Sequence, residues 1–344
     1  MSRSPAPDIV ARRPEDVLAT VPYLLGFHPS ESLVVIAMRP RRNRIACTMR
    51  VDLPPVPAIG AVVEQMLAAA SNCRASRLLV IAYSAAPEPA EDVAAQAAAA
   101  FEAAGLAVVA TWRCDGSRWW CCCGSEPGCC PEEGTRFDAT AQRCAAEAVS
   151  RGLVALPSRS ELAASIAGPP AAHAARMAAL TVRAEAALTA DAGASQPETA
   201  LDLDGQRYVE WFVTAFVRRR HQLSDAEIAQ LSAWLRRIPV RDAAWCLLDR
   251  ARIEPHIDLW QQVTRRAAPG YVAAPGALLA FAAWLAGRGA LALCALDRVF
   301  ADDPAYSMGR LIDQTLAAGL PPSAWEPMDA DWLRAATETR VEGS

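Results

Sequence analysis

The chain of 344 residues contains no lysine, because all 34 of its basic residues are arginine. This absence excludes Schiff-base catalysis, pyridoxal-phosphate anchoring and the phosphate-binding P-loop, each of which needs a lysine ammonium group. The sequence also lacks Gly-x-Gly-x-x-Gly, His-Glu-x-x-His, Gly-x-Ser-x-Gly and a paired Cys-x-x-Cys. No common dinucleotide, metalloprotease, hydrolase or zinc-finger signature therefore assigns a reaction.

An excess of positive charge is also absent. The formal net charge is −4 and the isoelectric point is near 5.7, so attraction to nucleic acid or to an anionic membrane is not expected. Hydrophobic residues make up 53% of the chain and charged residues 21%. That balance favours a folded protein with a large core, and the length suits two domains.

The first ten residues carry no apolar run of the signal-peptide kind. Eleven cysteines in a chain without an export signal favour reduced thiols, so we predict a cytoplasmic protein. The longest apolar stretch, Tyr271–Gly287, is shorter than the roughly 20 residues that span a bilayer. It predicts a buried core helix and no membrane insertion.

Apolar runs alternating with helical patterns occupy the N-terminal half. The predicted strands are Ser32–Met38, Ile45–Leu53, Arg77–Tyr83, Leu106–Trp112 and Arg118–Cys122, and the helices between them are Asp16–Leu25, Ile59–Ala70 and Pro89–Ala104. The first two strands are predicted to form a β-hairpin. Near-continuous apolar strands indicate a mixed sheet covered by helices, which is an α/β domain.

Strand signals stop after Asp138, and the rest of the chain is typical of helices separated by prolines. We predict an α/β domain over 8–168 with a cysteine-rich loop at 114–134, and an all-helical domain over 169–338. A Gly/Ser/Pro-bearing linker is expected near 190–198. Helix pairs of about 12 residues leave two alternatives open, a helical bundle and a repeat-like stack.

Several segments together resemble a known family. They are Leu24-Leu25-Gly26-Phe27-His28-Pro29-Ser30-Glu31-Ser32-Leu33-Val34-Val35, Arg50-Val51-Asp52-Leu53-Pro54, Trp119-Trp120 with Cys123 and Cys129-Cys130-Pro131-Glu132-Glu133-Gly134, and the stretch from Leu278 to Pro322. In this order they resemble the actinobacterial domain-of-unknown-function 4192 family over nearly the whole chain. The resemblance implies a cytosolic actinobacterial protein with cysteines at 123, 129 and 130, and it implies no reaction.

Five cysteines lie within ten residues of one another in the 114–134 loop. Zinc needs four ligands, and Cys123, Cys129 and Cys130 are the candidates, with Cys114 as a possible fourth. Five residues separate Cys123 from Cys129, and adjacent cysteines rarely face one ion. A zinc site, a disulfide or redox switch, and buried thiols that pack a tight loop therefore remain alternatives.

A polar cluster is predicted at one end of the hairpin. The start of the first strand and the end of the second lie at the same edge, so His28, Ser30, Arg50 and Asp52 should come together. Such a set could bind an anion or act in catalysis, with Arg50 as anion ligand, Asp52 orienting His28 and Ser30 as donor or nucleophile. The structural alternative is that Arg50 and Asp52, on one strand face, simply pair with each other.

Arginines also cluster at Arg39, Arg41, Arg42 and Arg44, and at Arg218–Arg220 before His221. They could contact phosphate, or they could serve solubility and a helix C-terminus. The best overall prediction is a non-enzymatic binding or scaffold protein with a small-anion or metal site in the α/β domain. Its helical domain would present a surface to a protein partner. The alternatives are an enzyme built on the His28 cluster, and a thiol-based metal or redox sensor.

Overall fold

The computed structural model describes residues 11–39, 45–122, 131–191 and 198–327, together with Ala335. The chain divides into two compact units. One unit comprises Met1–Leu162 with Thr315–Pro321, and the other comprises Ala163–Gln314 with Pro322–Ser344. Most of the linker predicted near 190–198, nearly all of the predicted helical domain after 327, and Arg41, Arg42 and Arg44 of the first arginine cluster lie outside the described residues.

The first unit has the predicted α/β composition. Its strands are β1 (Ser32–Met38), β2 (Ile45–Asp52), β3 (Arg77–Tyr83), β4 (Ala107–Cys114), β5 (Arg118–Cys121) and β6 (Thr135–Arg136). Its helices are α1 (Pro14–Leu25), α2 (Ile59–Asn72), α3 (Ala90–Ala103) and α4 (Arg143–Ser150), and α5 (Arg159–Ala164) crosses into the second unit.

The six strands form one mixed sheet in the order β2-β1-β3-β4-β5-β6. β1 runs antiparallel to both β2 and β3, whereas β3 and β4 are parallel and are connected through α3. β4, β5 and β6 continue as antiparallel neighbours. The predicted fold class, an α/β domain with a hairpin in a mixed sheet followed by helices, is confirmed.

All seven residues of β1 are buried, because this strand has a neighbour on each side and covered faces above and below. One face places Leu33, Val35 and Ala37 in a core with α2 and α3. Val34 and Ile36 point to the opposite face and are equally buried. Each fully buried aliphatic side chain contributes about 1.5–3 kcal/mol, so this strand anchors the unit.

Two elements of this unit have local causes that the sequence pattern does not show. α4 begins at Arg143, after a turn in which the Asp138 carboxylate accepts hydrogen bonds from the Thr140 N–H and hydroxyl. The two-residue strand β6 was not predicted, since Thr135 and Arg136 are too few to carry an alternating pattern.

A segment from near the C-terminus completes the first unit. The Cys73 thiol, at the end of α2, donates to the Gly319 carbonyl at 3.5 Å, and the Asn72 amide donates to the Ala318 carbonyl. Gly319 has φ +61°, and a Cβ there would lie 2.2 Å from the Cβ of Ala69. Only glycine permits this close approach of the two backbones.

The second unit is helical in its described residues. Its helices are α6 (Ala171–Asp191), α7 (Glu198–Arg218), α8 (Asp225–Leu235), α9 (Ile238–Cys246), α10 (Ile253–Arg266), α11 (Ala273–Leu285) and α12 (Gly289–Asp302), and α13 (Ser307–Ala317) crosses into the first unit. α11 corresponds to the long apolar stretch, and every one of its residues is buried. Among the described helices, none has the length and apolar character needed to cross a membrane.

Tight packing at α7 depends on a glycine within the helix. Gly205 is buried, and a Cβ at this position would lie 2.5 Å from side-chain atoms of both Trp234 and Val240. α7 therefore approaches α8 and α9 at a distance that no larger residue allows without displacing them.

We expect Gly205→Ala to lower the free energy of unfolding by about 1–3 kcal/mol through overpacking, although alanine is normally favoured over glycine in a helix by about 1 kcal/mol. Urea denaturation would measure the change. The matched control is Gly289→Ala at the first residue of α12, where a Cβ meets nothing within 4 Å and no loss is expected. An unchanged midpoint for Gly205→Ala would contradict the packing argument.

A buried histidine is the second unusual feature of this unit. His256 on α10 is 2% exposed, and its Nδ1 has no hydrogen-bond partner among the described residues. Burial lowers the pKa of His256 to about 4, against a weaker opposing effect of Asp249. The imidazole is therefore neutral in the folded protein at neutral pH.

Protonation of His256 should destabilise the second unit in acid. The unfolded imidazole binds a proton near pH 6.5 and the folded one only near 4, so stability is lost as the pH falls between these values, by at most about 3 kcal/mol. In His256→Leu this part of the pH dependence should disappear, and in the exposed control His28→Gln it should remain. Parallel stability–pH curves for wild type and His256→Leu would contradict the assignment.

Candidate functional site

The ends of four strands form one edge of the sheet in the first unit. Asp52 ends β2, Ser32 begins β1, Tyr83 ends β3 and Cys114 ends β4, and these four residues are paired across the sheet in one row. We call this the carboxyl edge. Ligands of open α/β sheets bind characteristically where parallel strands end, so this edge is the candidate site.

On one face of the carboxyl edge, Arg50 is held by a serine hydroxyl. Its Nε and Nη2 donate to the Ser32 Oγ at 2.9 and 2.7 Å, and that hydroxyl in turn donates to the Ser30 carbonyl at 2.6 Å. Nη2 also pairs with Asp52 Oδ1 at 2.7 Å. The guanidinium lies 5.7 Å from the centre of the Phe27 ring. These contacts fix the orientation of the guanidinium.

The structure brings together some of the residues predicted for this cluster. Arg50 and Asp52 pair directly, and Ser30 joins them through its carbonyl rather than its hydroxyl. His28 is exposed; its backbone N–H donates to the Leu156 carbonyl at 2.9 Å, but its side chain forms no hydrogen bond or ion pair with Arg50 or Asp52. Ser32, the residue that links the cluster, was not predicted.

The opposite face of the same edge holds a second arginine, which was not among the predicted site residues. Arg113 Nε pairs with Glu91 Oε1 at 2.8 Å, Nη1 donates to the Ser84 carbonyl at 3.4 Å, and the guanidinium lies 3.5 Å from the centre of the Trp120 ring. The Ser84 hydroxyl donates to Glu31 Oε1 at 2.9 Å. The predicted strand Leu106–Trp112 ended one residue before Arg113, whereas β4 continues to Cys114 and so includes this arginine.

A model of the family described as "Domain of unknown function (DUF4192)" matches residues 14–323. The chain belongs to this family. Searches of the curated proteins and of the solved structures found no match. The family match confirms the resemblance of the sequence segments. Because the family has no known function, the chemistry of this DUF4192 chain has to be inferred from its own side chains.

The carboxyl edge also carries one of the candidate zinc ligands. Cys114 is buried, its Sγ accepts a hydrogen bond from the Gly116 N–H at 3.4 Å, and burial raises its pKa to about 12. Without a metal this thiol is protonated and a poor nucleophile. Cys123, Cys129 and Cys130 lie outside the described residues, and within the part of the chain that the structure describes no three His, Cys, Asp or Glu side chains form a metal-binding group.

The turn after Cys114 is held by a side chain. Asp115 Oδ1 accepts hydrogen bonds from the Ser117 N–H at 2.7 Å and the Arg118 N–H at 2.6 Å. Burial alone would raise the pKa of Asp115, but these hydrogen bonds hold it below its ordinary value. The ionised carboxylate thereby fixes the β4–β5 turn at the start of the cysteine-rich loop.

The zinc prediction can be tested at Cys114. If Cys114 is the fourth ligand, purified protein should carry about one zinc per chain, and Cys114→Ser should lower both metal content and melting temperature. The matched control is Cys144→Ser, which removes another buried thiol, on α4, and should leave metal content unchanged. Metal-free protein whose melting temperature does not respond to a chelator would contradict the zinc site.

Proposed function

We propose that this DUF4192 protein is a non-enzymatic binding protein that takes a small anion at the carboxyl edge, with Arg50 as its anchor. One observation carries the proposal. Arg50 is 16% exposed in its side chain and rigidly held by Ser32, whereas the carboxylate that neutralises it, Asp52, is 88% exposed. An anchored cation is thus covered by a carboxylate that can turn away into solvent.

A phosphate group should bind Arg50 more strongly than Asp52 does, and so displace this carboxylate. Ion pairs with an exposed partner contribute only about 0–1 kcal/mol, and a phosphate ester brings nearly two negative charges and several acceptor oxygens. Planar, fixed guanidinium groups bind such anions in a bidentate manner. Arg113 is less suited, because its side chain is 5% exposed and lies under Trp120.

The hydroxyl groups at the edge argue for binding rather than catalysis. The Ser32 hydroxyl donates to the Ser30 carbonyl, and the Ser84 hydroxyl donates to Glu31. Nucleophilic catalysis by serine needs a base that accepts its proton, and His28 forms no hydrogen bond with either hydroxyl. Ser84 pairs with a carboxylate but is 4% exposed, which withholds it from a substrate.

A pair of aromatic side chains on the helical unit supports the part of the proposal that concerns a protein partner. Trp211 on α7 is 66% exposed, beside Tyr208 at a ring-centre distance of 6.2 Å. An exposed tryptophan of this kind suits a contact with a protein partner.

Titration with inorganic phosphate at constant ionic strength tests the Arg50 site. Phosphate at ten times its Kd should stabilise the wild-type protein by about 1.4 kcal/mol, and Arg50→Ala should abolish this effect. Asp52→Asn removes the competing carboxylate, so it should tighten phosphate binding by about fivefold, the equivalent of about 1 kcal/mol.

The control is Arg143→Ala, which removes a side chain that is 90% exposed in the same unit and should leave phosphate binding unchanged. If Arg50 were only structural, Asp52→Asn would cost stability and would not change the phosphate affinity. That result, or no response of the wild type to millimolar phosphate, would contradict the proposal.

A further inference from the structure

The helical unit contains a cleft of about 410 Å³ that lies apart from the Arg50 site. It lies where α7 ends and α8 begins, against one side of α10. Arg220, His221 and Gln222 contribute to it from the connecting loop, and Asp258, Gln261 and Arg265 contribute from α10. The volume falls within the range of about 300–1,000 Å³ that is typical of small-molecule sites.

The cleft is built before any ligand arrives. Gln262 joins the loop to α10 in both directions, since its amide nitrogen donates to the His221 carbonyl at 3.1 Å and its oxygen accepts from the Leu223 N–H at 2.9 Å. Arg266 Nη1 donates to the Leu223 carbonyl at 2.8 Å. Three hydrogen bonds therefore hold the loop at a fixed distance from the helix, and a ligand need not order it.

The charges in the cleft are not balanced. Arg220 pairs with Asp258 at 2.6 Å, and His221 contacts Glu227 at 3.2 Å. Arg265 forms no ion pair with any described residue, and it lies close enough to Arg266 to lower the pKa of that guanidinium, though less than burial does. An anion beside Arg265 would relieve this repulsion between like charges.

Some polar side chains of the cleft also lack hydrogen-bond partners among the described residues. Gln222 and Gln261 both line the cleft, and neither amide has a hydrogen-bond partner among the described residues. Each amide offers donors and an acceptor that suit hydroxyl groups. The neighbouring Phe216 is 1% exposed and packs against the His221 ring, with the ring centres 5.4 Å apart and the ring planes tilted by 49°, so it contributes an apolar floor but no exposed ring for stacking.

From this arrangement we infer that the cleft binds a small phosphorylated polyol, such as a sugar phosphate. Arg265 holds the phosphate group, and the amides of Gln222 and Gln261 bind hydroxyl groups. The polar walls favour hydroxyl-bearing ligands over flat aromatic ones, which need an exposed apolar face. This site is independent of Arg50, and it is formed wholly by residues of the helical unit.

Isothermal titration with glucose 6-phosphate, inorganic phosphate and glucose, at constant ionic strength, tests the inference. Arg265→Ala should weaken glucose 6-phosphate binding at least tenfold. The matched control is Arg219→Ala, which removes an exposed arginine of the same loop that does not line the cleft and should change the affinity less than twofold. Arg50→Ala should leave this binding intact, which separates the two sites.

Gln261→Leu should weaken glucose 6-phosphate binding severalfold and leave inorganic phosphate binding unchanged. Hydrogen exchange should slow in residues 219–224 and 253–266 when the sugar phosphate is present. Equal losses in Arg219→Ala and Arg265→Ala would mean unspecific charge attraction and would overturn the site. Inorganic phosphate that binds as tightly as glucose 6-phosphate would overturn the role of the amides. Absence of heat at 10 mM ligand would overturn the site as a whole.

Discussion

The complete burial of β1 is the constraint on which the carboxyl edge depends. A shift of this strand by one residue would turn Leu33, Val35 and Ala37 away from the core with α2 and α3. Because that shift is so costly, the pairing of Ser32 with Asp52 and with Tyr83 has a single register. The packing of Leu33, Val35 and Ala37 in the core therefore also fixes the position of the Ser32 hydroxyl, which orients Arg50.

The two faces of the carboxyl edge carry similar arginine clusters that differ in exposure. On each face an arginine is neutralised by a carboxylate and lies against an aromatic ring. The difference is exposure, since Arg113 lies under Trp120 whereas Arg50 remains reachable. A buried arginine without its partner would be strongly destabilising, so Arg113 holds β4, α3 and β5 together, whereas the more exposed Arg50 is the anion anchor that we propose.

Much of the α/β unit follows from local pattern. β1 and β3 were predicted at their observed bounds, because continuous apolar runs mark strands that are buried on both faces. The proximity of Arg50 and Asp52 followed from the period of two along a strand. The partner Ser32 could not be foreseen, since an apolar strand that begins with serine gives no sign of which side chain will donate to that hydroxyl.

Longer-range contacts explain what the sequence could not predict. The Arg113 network joins β4 to Glu91 and Ser84, which lie more than 20 residues earlier in the chain. The cleft of the helical unit depends on how closely α7 approaches α10, which composition does not encode. The arginines near residue 220 were visible as a cluster, but only the packing distinguishes Arg220, paired with Asp258, from Arg265 on another helix.

The contact between Gly319 and Ala69 has a consequence for how the chain is made. The α/β unit includes Thr315–Pro321, so its last component is synthesised long after its sheet. At about 5–20 residues per second, the end of α2 waits on the order of ten seconds or more for the segment that covers it. The first unit is thus completed only after residues Ala163–Gln314 of the second unit have been synthesised.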